Sequence, residues 1–279
     1  MFRGFYTVAT GMLAQQRKTE MLTNNMSNVN TPGFKADQAS MRAFPEMLLS
    51  SLGESKVPTQ NGMSSNRMTQ VGGLNTGVYM QEAVPLFTQG DLRETGLTTD
   101  LAILQGDLPI NEETGIPGAL FFALENEDGT DRYTRNGNFA LDADGFLTTP
   151  GGQYVLDDNG ERIELENDRF EVTDGGQIIQ NGENVARIGV AYSDDPRALV
   201  KEGNELYRAP EGTVYPSAYD VADAGFTMTQ GSLERSNVDS ARTMTDLMTS
   251  YRSFEANQKV LQAYDRSMEK AVNEVGRLN

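Results

Sequence analysis

Cysteine, histidine and tryptophan are all missing from this 279-residue chain. Without histidine or cysteine there is no Ser-His-Asp triad, no thiolate nucleophile, no disulfide framework and no Cys/His zinc site. Cations are scarce as well: 23 Lys and Arg stand against 40 Asp and Glu, a net charge of −17. So acidic a surface repels nucleic-acid phosphates and the anionic face of a membrane. Long apolar runs are also lacking. Residues 1–16, MFRGFYTVATGMLAQQ, are interrupted by Gly and Thr, whereas a Sec signal needs about 7–15 uninterrupted apolar residues and a membrane span about 20. The expectation is a soluble chain, either cytosolic or exported by a route that uses no such peptide.

What is present divides into four stretches. In Met1–Val29 the apolar residues Phe2, Phe5, Ala9, Met12, Leu22, Met26 and Val29 recur at steps of three and four, which predicts an amphipathic helix. It should stop at Asn30-Thr31-Pro32-Gly33, because the residue before Pro is pushed out of the helical region and Gly tolerates a left-handed turn. Residues 50–76, rich in Gly, Ser, Asn, Gln and Thr, read as a loop or extended arm with little core of its own. From Val78 to Gln230 short apolar runs such as Leu120-Phe121-Phe122 and Ile188–Tyr192 alternate with Asp-Gly and Asn-Gly dipeptides at 128, 136, 144, 159 and 181. Those dipeptides supply the positive φ of two-residue hairpins, so this stretch should be antiparallel and β-rich.

The last stretch, Ser236–Asn279, has no proline. Leu247, Phe254, Leu261, Met268 and Val275 stand seven apart, with Met244, Tyr251, Gln258, Asp265 and Val272 as companions, which predicts a heptad helix. Roughly 40 residues of helix would be about 60 Å long, more than a small domain needs. The fold class is therefore α+β: long N- and C-terminal helices forming a discontinuous helical domain (1–35 and 231–279), an arm (36–77), and a β-rich antiparallel outer domain (78–230).

Candidate chemistry is thin. The acidic turns at Asp142–Gly145 and Asp157–Glu161 invite a calcium reading. Aligned on the loop glycine, however, Gly145 puts Ala140 and Gly151 at the two essential acid positions, and Gly160 puts Val155 at the first. They read as plain hairpin turns. The acids Glu82, Glu94, Glu112, Glu113 and Glu125 show no glycosidase pattern, so no catalytic residue, metal, cofactor or small-molecule substrate is assigned. The asparagines Asn24, Asn25, Asn28 and Asn30 carry two readings: a frayed helix end, or buried amides fixing the register of packed helices.

Several segments together resemble one family. Asn24-Asn25-Met26-Ser27-Asn28-Val29-Asn30-Thr31-Pro32-Gly33-Phe34-Lys35 is similar to the N-terminal signature of the bacterial flagellar axial proteins, the rod and hook family. Gln230–Asp239 and Arg252–Asn257 are similar to the C-terminal signature. Thr88–Leu92, Thr95-Gly96, Asp100–Ile103 and Tyr133–Phe139 are similar to the central segment of distal-rod proteins. Two departures stand out: Tyr251 where the family usually has Gln, and about ten extra residues, Leu108–Gly118, ahead of Phe121-Phe122.

The resemblance implies a non-enzymatic rod subunit that polymerises helically, with the terminal helices as inner tube and the β domain outward. A hook or hook-junction protein is the nearer alternative, and a secreted glycan-active enzyme or adhesin the one from another class. The implied partners are copies of itself, other axial proteins of rod and hook, and the flagellar type III export apparatus. The implied place is the basal body, reached without a Sec signal. The implied subunit interface is Phe5, Met12, Leu22, Asn24, Asn25, Asn28, Asn30, Met244, Leu247, Tyr251, Phe254, Leu261, Met268 and Val275.

Overall fold

The structure, a computed structural model, describes residues 2–56, 64–126, 129–222 and 224–275, without the side chains of 2, 3, 51–69, 274 and 275. The chain divides into two compact units. One comprises Met1–Asn24, Gln38–Val84 and Ala241–Asn279; the other comprises Asn25–Asp37 and Pro85–Ser240.

In the first unit, α1 (Phe2–Ser27) and α2 (Ser240–Lys270) pack on each other. Their order is antiparallel, since Gly4 abuts Tyr264, Gly11 abuts Asn257, and Thr19 Oγ1 meets Ser250 Oγ at 3.0 Å. Two interior glycines cost roughly 1 kcal/mol each relative to Ala, but a Cβ on Gly4 would overlap the Tyr264 hydroxyl. Gly4 leaves room for the Tyr264 side chain, whereas a Cβ on Gly11 would make only ordinary contact with Asn257. Ser250 Oγ also bonds the Gln15 carbonyl at 3.1 Å and the Gln15 Oε1 at 2.9 Å, so the seam is partly polar.

The seam with α1 uses companions other than the heptad's Met244, Tyr251, Gln258 and Asp265. Leu247, Phe254, Leu261 and Met268 are half-buried, as a seam position should be. Thr243, Ser250, Asn257 and Tyr264 accompany them inward, while Met244, Tyr251, Gln258 and Asp265 are exposed. Small and polar side chains, invisible to an apolar periodicity, occupy the tight positions. The α-helix is also shorter than expected: 31 residues, about 46 Å, before a π-helical turn at Ala271–Val275.

The segment read as loop or arm forms strands. Met47–Lys56 pairs antiparallel with Ser64–Leu74 in a ribbon with a bulge at Leu49/Ser50, and Asp37–Ala43 pairs with Val78–Pro85. Thr7 Oγ1 on α1 donates to the Thr76 carbonyl at 3.2 Å, and the Phe44 N–H donates to the Gly77 carbonyl at 3.0 Å, which ties this segment to its own unit.

The second unit is built on antiparallel pairs throughout. Ala119–Glu125 is its centre, hydrogen-bonded to Asp131–Thr134, Val190–Ser193 and Tyr154–Val155 within a sheet of eight strands among the described residues. Both faces of this strand are covered. Leu120, Phe122 and Leu124 enter the main core with Leu101, Ile103, Phe139 and Ile188, while Ala119 and Phe121 enter a second cluster with Tyr133 and Tyr207. A strand buried on both sides needs no polar alternation, which is why Leu120-Phe121-Phe122 reads as a continuous apolar run. Each such side chain contributes roughly 1.5–3 kcal/mol of burial.

Of the expected hairpin turns, Asn181-Gly182 is the clearest, with φ of 56° and 86° between strands Gln177–Gln180 and Glu183–Arg187. Asn136-Gly137 is different. Gly137 has no positive φ, and a Cβ there would strike the Leu101 carbonyl; this glycine is required for close approach of two backbones rather than for a turn. In the acidic turns, Asp157 Oδ1 accepts the N–H groups of Asn159 (2.9 Å) and Glu161 (2.8 Å), so its carboxylate closes its own turn.

Candidate functional site

The second unit brings the scattered motif segments to one point. Glu234, on the short strand Ser232–Glu234, is 2% exposed. Its carboxylate accepts from Lys35 Nζ at 2.6 Å, Arg135 Nε at 2.7 Å and the Gly90 N–H at 2.8 Å. Lys35 Nζ also donates to the Thr88 carbonyl at 2.8 Å. Arg135 Nη1 and Nη2 donate to the carbonyls of Leu120 (2.8 Å) and Ile103 (3.1 Å). Four segments far apart in sequence thus meet in one buried cluster of two cations and one anion.

Its electrostatics follow from burial. Desolvation is the largest influence on Lys35 and, against the pull of Glu234, brings its ammonium down to about 8. Burial pushes the Glu234 carboxyl up, but Arg135 and Lys35, with the Gly90 N–H, outweigh it and hold the group below the usual carboxylate range. With every partner internal, the cluster offers no reacting group to a substrate. Its effect is mechanical: it clamps residues 33–37 onto the strands.

Neighbouring bonds complete the clamp. The Gly33 N–H donates to the Glu234 carbonyl at 2.8 Å. Asn237 Oδ1 accepts from the Ala36 N–H at 2.7 Å, and its Nδ2 donates to the carbonyls of Leu86 and Thr88. Gly33 sits at φ 71°, and a Cβ on it would lie 2.5 Å from the Asn136 nitrogen. Here both reasons for glycine apply at once. Sequence reasoning quoted Lys35, Arg135 and Glu234 only as parts of motifs. Nothing in one sequence pairs a Lys with a Glu 199 positions away.

The asparagines separate. Asn25 is buried and engages both backbone groups of Asp37: its Nδ2 donates to the carbonyl at 2.8 Å and its Oδ1 accepts the N–H at 3.0 Å. This amide fixes the chain that leaves α1, so it matches neither expected reading fully. Asn28 is half-buried and accepts from Thr31 Oγ1 at 3.2 Å, while Asn24 and Asn30 are exposed. Of the other expected interface residues, Leu22 is buried, Phe5 and Met12 are half-buried, and the side chain of Val275 lies outside the described residues.

The helices also carry apolar side chains that their mutual seam leaves outside. On α1 these are Tyr6 (63% exposed) and Leu13 (53%), seven residues apart. On α2 they are Met244, Met248 and Tyr251 (54%), which lie on one face at steps of four and three.

Three segments of the chain match known families. Residues 5–35 match the family described as flagella basal body rod protein, residues 115–183 the flagellar hook protein FlgE/F/G D1 domain, and residues 229–274 the flagellar basal body rod FlgEFG protein C-terminal family. The chain is 45% identical over 278 residues to the flagellar hook-basal body complex protein FlhO of Bacillus subtilis, covering 100% of both chains. It is 30% identical to the flagellar basal-body rod protein FlgF of Caulobacter vibrioides (100% of each) and 30% to FlgG of Bacillus subtilis (98% of this chain, 99% of the relative).

Proposed function

The chain belongs to the flagellar basal-body rod and hook-basal-body family of structural, non-enzymatic proteins, and from that premise we propose that it is a rod subunit which polymerises helically through its terminal helices and passes torque from motor to hook. The observation that carries the assembly role is the outer face of the helix pair. The seam takes in Leu247, Phe254, Leu261 and Met268 but leaves Tyr6, Leu13, Met244, Met248 and Tyr251 exposed and available to neighbouring subunits. A head-to-tail contact that does not close on itself yields the open filament a rod requires. The Lys35–Glu234–Arg135 cluster holds residues 33–37 on the strands of its own unit.

On the same reading the partners are other copies and the axial proteins of rod and hook, and the chain reaches the basal body through the flagellar type III export apparatus. The test is incorporation. Leu13→Asp and Tyr251→Asp should leave the purified subunit's melting temperature unchanged and remove the protein from isolated basal bodies. Normal incorporation of both variants would refute assembly through these helix faces.

A further inference from the structure

Strand Leu92–Glu94 pairs antiparallel with Ser232–Glu234, and beside this pair lies a cavity of about 170 Å³ to whose wall Glu234 itself contributes along with Val29, Asn30, Pro32, Arg93, Leu233 and Arg235. The register explains why two arginines meet there. Leu233 pairs with Arg93, so Arg235, two residues on, shares their face, while Glu234 points the other way into the buried cluster. Among the described residues neither arginine has an ion pair or a side-chain hydrogen bond, and both are exposed. Asn30 is exposed beside them. Like charges at diagonal positions of a strand pair repel. Asp91 lies opposite Arg235, its carbonyl accepting the Arg235 N–H at 2.8 Å, but among the described residues its carboxylate forms no ion pair with either arginine. In a chain with 40 acids and 23 cations, two adjacent arginines outside any ion pair run against the composition.

We infer that this cavity is a docking site for an acidic side chain, Asp or Glu, of a second copy of the chain. The two guanidiniums bracket a space with apolar walls at Pro32 and Leu233, and a carboxylate entering it would accept charge-assisted bonds from both sides while losing water. The charge balance selects the partner: identical subunits carry carboxylates in excess, and a helical assembly presents the same acidic patch to the same cavity at every step. The site also relieves part of the repulsion that a net charge of −17 imposes between like subunits. This inference rests on the assembly reading above and names one of its contacts.

Carbodiimide coupling tests it, because the reagent joins an amine to a carboxylate in contact with it. Arg93→Lys and Arg235→Lys keep the charge and supply the amine. In basal bodies isolated from cells carrying either variant, the expected product is an amide joining the introduced amine to an Asp or Glu peptide of a second copy. Coupling confined to one chain, coupling to a different protein, or none would overturn the inference. In parallel, the double variant Arg93→Gln/Arg235→Gln should melt as the unsubstituted subunit does and incorporate less well, on the order of tenfold or more; unchanged incorporation would count against the site. If the unsubstituted chain is itself absent from basal bodies, the assembly reading fails. If it is present and only the arginine results are negative, the inference alone fails.

Discussion

Replacing Glu234 by Gln changes one oxygen for an amide nitrogen and almost no volume, yet it should be among the most damaging single substitutions in the β unit. Among the described residues this carboxylate is the only anion that forms ion pairs with Lys35 and Arg135, and the side chains of all three are 1–2% exposed. Removing its charge leaves two buried cations facing each other, and breaking a buried ionic cluster in this way costs about 3–5 kcal/mol. Against a total stability of about 5–15 kcal/mol, that is a large fraction, equivalent to a fall in melting temperature of roughly 6–20 °C for a domain of this size. Lys35→Met acts differently. It leaves the Glu234–Arg135 pair neutral and orphans only one carboxylate lone pair, since Asn237 Nδ2 still bonds the Thr88 carbonyl at 3.1 Å, a loss of about 1–3 kcal/mol. The ordering, Glu234→Gln worse than Lys35→Met, is the signature of charge rather than packing, since Lys→Met changes shape more. Urea unfolding of the full chain, followed by tyrosine fluorescence, measures both. A Glu234→Gln cost below about 1 kcal/mol, or one no larger than that of Lys35→Met, would refute the description of this cluster as an ionic clamp.

Other expectations follow from the same geometry. The Glu234 carboxyl is depressed in the folded state, so its stabilisation is complete above its unfolded value and is lost as pH falls through the folded one. Lys35 is depressed to about 8 from 10.5, so between those values the unfolded chain binds more protons and stability should rise with pH; Lys35→Met should abolish that alkaline rise in urea midpoints measured across pH. Gly33→Ala combines positive φ with a backbone clash and should cost roughly 2–4 kcal/mol by thermal melting, whereas Gly96→Ala, at φ 73° with open space around it, should cost about 1. Phe254→Asp, in the half-buried seam, should lower the subunit's own helix content by circular dichroism, while Tyr251→Asp on the exposed face should not.

How much of this was legible in the sequence differs by element. Both terminal helices, their meeting within one discontinuous domain, and the antiparallel middle follow from periodicities of 3.6 and from Asn-Gly and Asp-Gly turns. In α2 the apolar line Leu247–Phe254–Leu261–Met268 was readable, but its companions were displaced by one residue. The positions that accompany that line inward, Thr243, Ser250 and Asn257, are polar, and Ser250 is held there by hydrogen bonds to Thr19 and Gln15, which hydropathy does not register. The ribbon of 47–74 was hidden by its Gly, Ser and Asn content, because a two-stranded ribbon needs backbone pairing more than a buried face. The buried cluster was the least accessible feature: Lys35, Arg135 and Glu234 are ordinary surface residue types, and only the tertiary fold brings them inside. Asn136-Gly137 shows the converse, a strong turn signal whose glycine serves the approach of a neighbouring carbonyl.

The absence of cysteine offers a clean test of assembly through the helix faces. A single cysteine introduced by Leu13→Cys on α1 and another by Tyr251→Cys on α2 would be the only thiols in the chain. Thiol crosslinking in isolated basal bodies should then join either position to a neighbouring axial subunit, whereas Phe254→Cys, turned toward α1 of its own chain, should give no such product. Contradiction would be equally plain: the protein present in basal bodies, with positions 13 and 251 still freely reactive to a soluble maleimide and crosslinked to nothing.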